Sequence, residues 1–214
     1  TTTMNTKTTV ALILCCFMMV PAWAQERSAQ QLHLKTGTYD CPENVTEFLN
    51  APFRADELRN GAYYRILQFS ELPTSQERRA MATAGIELRT YLPSNAFHAH
   101  IQSDAALEQL QEWGVRSVLN WNPRFKMTPA LANEDIPEHA LNGRDHILLS
   151  VIYQPDFTAN EIIDLLKGQN AEIIGRFTNR NQIEISASLD NWQSIASMPE
   201  VYFIEAIDPT PTPE

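Results

Sequence analysis

One pattern of hydrophobic runs is written twice in this chain, and that duplication restricts the fold more than any other feature. Between Tyr63 and Trp121 the order is strand, helix, strand, strand, helix, strand: YYRILQFS, SQERRAMATA, IELRTYL, FHAHIQ, AALEQLQEW, VRSVLNW. Between Ile147 and Ile207 it returns as ILLSVIY, ANEIIDLLK, AEIIGRF, QIEISA, NWQSIAS, VYFIEAI. Counted from each first strand, the second strands start at offsets 23 (Ile86) and 24 (Ala171), and the third at 34 (Phe97) and 35 (Gln182). The fourth start at 52 (Val115) and 54 (Val201). Such agreement predicts duplication of one supersecondary unit, the split βαβ or ferredoxin-like unit. The expected fold class is α+β: two tandem βαββαβ units with antiparallel four-stranded sheets, after a signal peptide and a short N-terminal segment. Such a unit brings no catalytic machinery of its own, so function has to be argued from sites.

The expected organisation is a signal peptide at 1–24, an N-terminal segment at 25–60, a first unit at 61–127, a linker at 128–145, a second unit at 146–208 and a proline-rich tether at 209–214. Lys7 is the one charge before Glu26, and it precedes an apolar run from Val10 to Val20 and then Ala22-Trp23-Ala24. A basic start, a short apolar stretch and a small-x-small site are the signature of an export leader. The run is too short to span a bilayer, which takes ~20 residues. Cleavage is expected before Gln25, giving a secreted, periplasmic or cell-surface chain. Cys15 and Cys16 do not make a lipoprotein signal, because Leu14 is bulky where a small residue is wanted. Both leave with the leader, so Cys41 remains alone and no internal disulfide framework is available.

The formal charge is −10. A surface that acidic repels phosphate backbones, and no basic stripe offsets it, so nucleic acid is excluded as a partner. With no second long apolar stretch, the mature chain is not expected to be membrane-embedded.

Local signals set the element ends. Leu32–Lys35 alternates as a short strand ended by Gly37, and Glu47–Leu49 begins a helical turn. Thr74 or Ser75 caps a helix that Gly85 ends, and Thr158 with Glu161 forms a capping box. Leu107, Leu110 and Trp113 predict a helix stopped by Gly114, and Asn179–Asn181 predicts a tight turn. Trp113 and Trp192 read as core. The prolines and charges of the linker predict a surface-packed connection. Asn44-Val45-Thr46 is a glycosylation sequon by pattern, and chance is the favoured explanation.

The sheet faces speak about partners. Gln182–Ala187 alternates as a half-exposed strand should, whereas Ile147–Tyr153 and Val201–Ile207 are apolar on both faces. The second unit is therefore expected to have its outer sheet face covered. Packing of the two sheets on each other and docking onto another domain explain this equally well.

Catalytic constellations are missing from the sequence. No Gly-rich phosphate loop, Cys-x-x-Cys or His-Glu-x-x-His occurs, and no cofactor is implied. His98 and His100 share a strand face and could bind zinc with Asp104 or Glu108 as a third ligand. The favoured reading is an exposed strand face opposite Phe97, Ala99 and Ile101, since spacing fixes no third ligand. Cys41 reads as an incidental thiol.

Taken as strings, LHLKTGTY, YYRILQFSELPTSQERRAMATAGIELRTYLPSNAFHAHI and WGVRSVLNWNPRFKMTPAL resemble the N-terminal pro-region of secreted subtilisin-like serine proteases of Bacteroidetes type, with a fervidolysin-like prodomain. The ending MPEVYFIEAIDPTPTPE resembles the stretch that joins such a region to its protease. The resemblance implies a folding assistant and inhibitor for a protease domain in the same polypeptide. It implies that a pro-region sheet packs on surface helices of the protease, without saying which unit supplies it. It also implies that the tail Ile207, Asp208, Pro209, Thr210, Pro211, Thr212, Pro213 and Glu214 lies extended in the substrate cleft. The Asp, His and Ser motifs of subtilisin-like catalysis are missing from the sequence, so this chain is expected to be catalytically silent. Two alternatives stand beside it. One is a free-standing secreted inhibitor or peptide-binding module that uses a sheet edge. The other is a tandem small-molecule sensor with a polar pocket between its units.

Overall fold

The computed structural model describes residues 30–207. The proposed leader and tail residues 208–214 lie outside the described residues. The chain adopts an α+β fold built on antiparallel sheets. A hairpin of β1 (Gln31–Leu34) and β2 (Gly37–Asp40) comes first, then a short helix α1 (Val45–Asn50). The first large sheet holds β3 (Ala62–Phe69), β4 (Ile86–Leu92), β5 (Ala96–Gln102) and β6 (Val115–Asn120). Helix α2 (Ser75–Thr83) joins β3 to β4. Next come α3 (Pro129–Ala132) and the two-residue β7 (Leu141–Asn142). The second sheet holds β8 (His146–Tyr153), β9 (Glu172–Phe177), β10 (Gln182–Ser188) and β11 (Val201–Ala206). Helices α4 (Ala159–Gly168) and α5 (Trp192–Ser197) connect them.

In space the first sheet runs β4-β5-β3-β6 and the second β9-β10-β8-β11, with β7 on the flank of β8. The strand order is the same in both. So are the irregularities. Arg116 bulges out of β6 between the partners of Gln68 and Phe69, and Tyr202 bulges out of β11 between the partners of Ile152 and Tyr153. The outer strands β4 and β9 bulge as well, at Arg89-Thr90 and at Ile174. Both long helices start with the same reciprocal cap, Thr74 with Glu77 and Thr158 with Glu161, each worth ~1 kcal/mol. Gly85 (φ 87°) and Asn170 (φ 60°) end those helices in the left-handed region that glycine and asparagine tolerate.

Each sheet buries one face under its own connections. Leu67, Phe69, Phe97, Ala99 and Ile101 pack with Met81 of α2 and Leu110. Leu149, Val151, Ile183 and Ile185 pack with Ile162 and Leu166 of α4 and Trp192 of α5. The two cores differ in one connection. The helix expected around Leu107–Trp113 is only a 3₁₀ turn, Leu107–Gln109, followed by further tight turns. Its apolar residues recur every third position, which matches three residues per turn better than 3.6.

The expected surface linker is partly interior. Leu131 and Ala140 are buried, as are Lys126 and Met127 just before it, and Met127 pairs in parallel with Ile204 at the free edge of β11. Met127 and Leu131, four residues apart, point the same way into the second core. Of the two only Leu131 lies between Pro129 and Pro137, and a single anchor registers no period. The edge of β6 is closed differently: Asn44 Oδ1 accepts from the Val118 N–H (2.8 Å), and its Nδ2 donates to the Val118 carbonyl (2.9 Å). That employment of the asparagine amide accounts for Asn44 without a glycan. Among the described residues no helix is long and apolar enough to cross a membrane.

Candidate functional site

Alternation along β3 and β5 puts Tyr64, Ile66 and Gln68 beside His98 and His100 on the outer face of the first sheet. This face is not exposed, contrary to the expectation from the strand pattern. Ile66, Gln68 and His98 are fully buried. Three separate segments cover it. Leu32 and Cys41 of the hairpin pack on Ile66 and Ala96, with Trp121 and Phe125 at the border of that cluster. Trp121 and Tyr202 stack at 5.8 Å, and both rings approach His98. The loop after β8 seats Gln154 Nε2 3.2 Å from His98 Nε2. The sequence names the face by alternation but not the segments that close it.

Asp156 is the polar centre of the contact between the units. It accepts from Tyr64 Oη (2.9 Å) and from both terminal nitrogens of Arg89 (2.6 and 2.7 Å). Arg89 also meets Glu87 at 2.8 Å. His100 stands 3.7 Å from Asp156 and 3.9 Å from Glu87. Burial works to raise the Asp156 pKa, but the hydrogen bonds from Arg89 and Tyr64 prevail and hold it below the usual range. A second clamp joins Arg59 to Glu200 at 2.6 Å. Near it, buried Lys126 donates to the Met198 carbonyl at 2.7 Å, and burial lowers its pKa from 10.5 to about 7.

Burial, with Arg89 and Lys126 adding repulsion, pushes the pKa of His98 down to about 3. The ring is therefore neutral at ordinary pH. If the Gln154 amide donates to Nε2, the ring proton sits on Nδ1, which has no hydrogen-bond partner. Beside this floor a cleft of about 720 Å³ opens between the units, lined by Arg89, Thr90, Gln154, Arg180, Asn181 and Tyr202 among others. The lining mixes both charge signs with one aromatic wall.

The possible zinc ligands do not converge. Asp104 and Glu108 are exposed in the connection after β5, and no group of three or more His, Cys, Asp or Glu suited to a metal occurs among the described residues. Burial raises the Cys41 thiol to about 11, so it stays protonated and unreactive at neutral pH. Trp192 is core, and Trp113 packs against the first core. Of the tail, only Ile207 is described. Its N–H donates to the Leu148 carbonyl at 3.2 Å, so the last described residue still continues the β11 ladder. The inter-unit residues Gln154, Asp156, Arg89 and Tyr202 carry no local sequence signal.

Residues 33–122 match the model of a family described as a domain of unknown function, DUF8729. The match spans the first sheet and part of the hairpin in front of it. No curated protein and no solved structure matches the chain.

Proposed function

We propose that this chain is a non-catalytic pro-region, made of two tandem ferredoxin-like units, that assists the folding of a subtilisin-like serine protease domain and inhibits it. The observation that carries the reading is the way the chain leaves the second sheet. β11 delivers Ile207 in extended form, still hydrogen-bonded to Leu148, at the start of Asp208–Glu214. A segment released from a strand in that conformation is suited to lie in a protease cleft, which reads extended substrates by backbone pairing. Protease folds with parallel sheets make their non-local contacts late, and a preformed template that favours those contacts speeds them. An exported chain with an N-terminal leader fits the same role.

The test is refolding of a subtilisin-like catalytic domain with and without the chain, followed by an inhibition assay on the folded enzyme. A higher refolding yield and inhibition that is lost on deleting 208–214 are expected. No change in yield together with no inhibition ends the proposal.

Addition of a peptide strand has less support, because Asn44 and Met127 occupy two sheet edges and bulges break the other two. A small-molecule sensor is favoured by one observation, the mixed-charge cleft between the units. Thermal stabilisation by a polar metabolite, lost on Tyr202→Ala, would carry that reading instead.

A further inference from the structure

The geometry points to the outer face of the second sheet as the docking surface of this chain, and to a folded protein surface with an apolar ridge bordered by lysine and arginine as its occupant. The inference rests on the pro-region reading for its partner, but the surface itself is derived from register.

The matching bulges align the two units residue by residue. Phe69 corresponds to Tyr153, each pairing with the valine just before a bulge. Tyr64, Ile66 and Gln68 then correspond to Leu148, Ser150 and Ile152. His98 and His100 correspond to Glu184 and Ser186, which sit opposite the same bulges and partners. Leu119 faces Ile66 as Glu205 faces Ser150, so Trp121 corresponds to Ile207. In the first unit the chain beyond Trp121 folds back over this face, and the loop of the second unit completes the cover. Tyr64, at 3 %, is the most exposed of the three β3 residues there. On the second unit this face is covered only in part: Asn142 Nδ2 donates to Ser186 Oγ (3.2 Å), and Tyr202 and Phe203 at one end share a pocket with Leu34 and Trp121. Leu148, Ile152 and Glu184 are half-buried, and Ile174 and Phe177 are 47 % and 38 % exposed. Ser150, at the centre of that face, is buried with a hydroxyl that makes no hydrogen bond.

Charge selects the occupant. Glu172, Glu184 and Glu205 all stand on this face, each opposite an outer-face neighbour or at the bulge. A second copy would set these carboxylates against one another, and like-charge juxtaposition across an interface is strongly unfavourable. A surface bordered by cations gains from the same arrangement. The approach is face-on, since Met127 holds one edge and the Ile174 bulge interrupts the other.

The test uses the full chain and an immobilised subtilisin-like catalytic domain whose nucleophilic serine is replaced by alanine. Ile174→Arg with Phe177→Arg, and separately Glu184→Lys, should weaken binding at least about tenfold. Tyr91→Arg, on the exposed outer strand of the first sheet, should leave it unchanged. Binding of the unmodified chain should weaken between about 0.05 and about 0.5 M salt. Melting curves like that of the unmodified chain establish that the variants fold. Equal binding by all variants overturns the assigned face while the pro-region reading stands. Failure of the unmodified chain to bind overturns both. A dimer in sedimentation that Ile174→Arg dissolves makes a second copy the occupant and overturns the partner chemistry.

Discussion

Replacing Asp156 with asparagine isolates the bond between the two units. The carboxylate receives three hydrogen bonds from Tyr64 and Arg89, and the Asp156 and Arg89 side chains are 24 % and 15 % exposed. Asparagine keeps the shape and one acceptor oxygen but loses the charge, so Arg89 is opposed by Glu87 alone. Breaking a fully buried pair costs ~3–5 kcal/mol, and an exposed pair contributes ~0–1 kcal/mol. This pair lies between those limits, which gives ~2 kcal/mol for Asp156→Asn. That corresponds to a fall in melting temperature of ~4–8 °C for a chain of this size. Urea unfolding followed by tryptophan fluorescence at pH 7 measures it directly. The pH dependence supplies an independent check. Asp156 has a lowered pKa in the folded state, so its contribution is fully present above the unfolded value of ~3.9 and vanishes as pH falls through the lower folded value. The gap between the two proteins should be complete at neutral pH and close in strong acid. A gap under ~0.5 kcal/mol at pH 7 refutes the clamp, and so does a gap that persists unchanged near pH 2.

Two further perturbations test buried titratable groups. Lys126 has a folded pKa of about 7 against 10.5, so the unfolded chain holds the extra proton between those values and stability should rise with pH across that window; in Lys126→Met, equilibrium unfolding should show the rise removed. His98 falls from 6.5 to about 3, so stability should decline as pH drops from 6.5 towards 3, and His98→Phe should flatten that decline in a pH series of melting temperatures; an unchanged slope rejects the buried neutral ring.

Local chemistry was legible because it repeats over short distances. The two capping boxes, the glycine stop at Gly85 and the turn at Asn181 follow from residues within a few positions of each other. The succession of strands and helices could be anticipated because similar hydrophobic runs recur at similar offsets in both halves of the sequence. The contact between the units could not. Arg89 and Asp156 are 67 residues apart, Tyr64 and Asp156 92, and Arg59 and Glu200 141. Such polar pairs obey no period, and an aspartate after a proline reads equally well as a solvated turn. His98 illustrates the limit: alternation places it opposite Phe97, but only the folded chain brings Gln154, Trp121 and Tyr202 over it. Lys126 is missed for the opposite reason, since a charged side chain carries no burial signal although its ammonium lies against the Met198 carbonyl.

The employment of Met127 as a strand partner of Ile204 has a consequence for dissection. A fragment ending with the first sheet would surrender the rings that seal its own histidine. One beginning at the second sheet would bare the Ile204 backbone that Met127 now meets. Neither half is a self-sufficient piece, and limited proteolysis between them should yield insoluble products rather than two tidy modules.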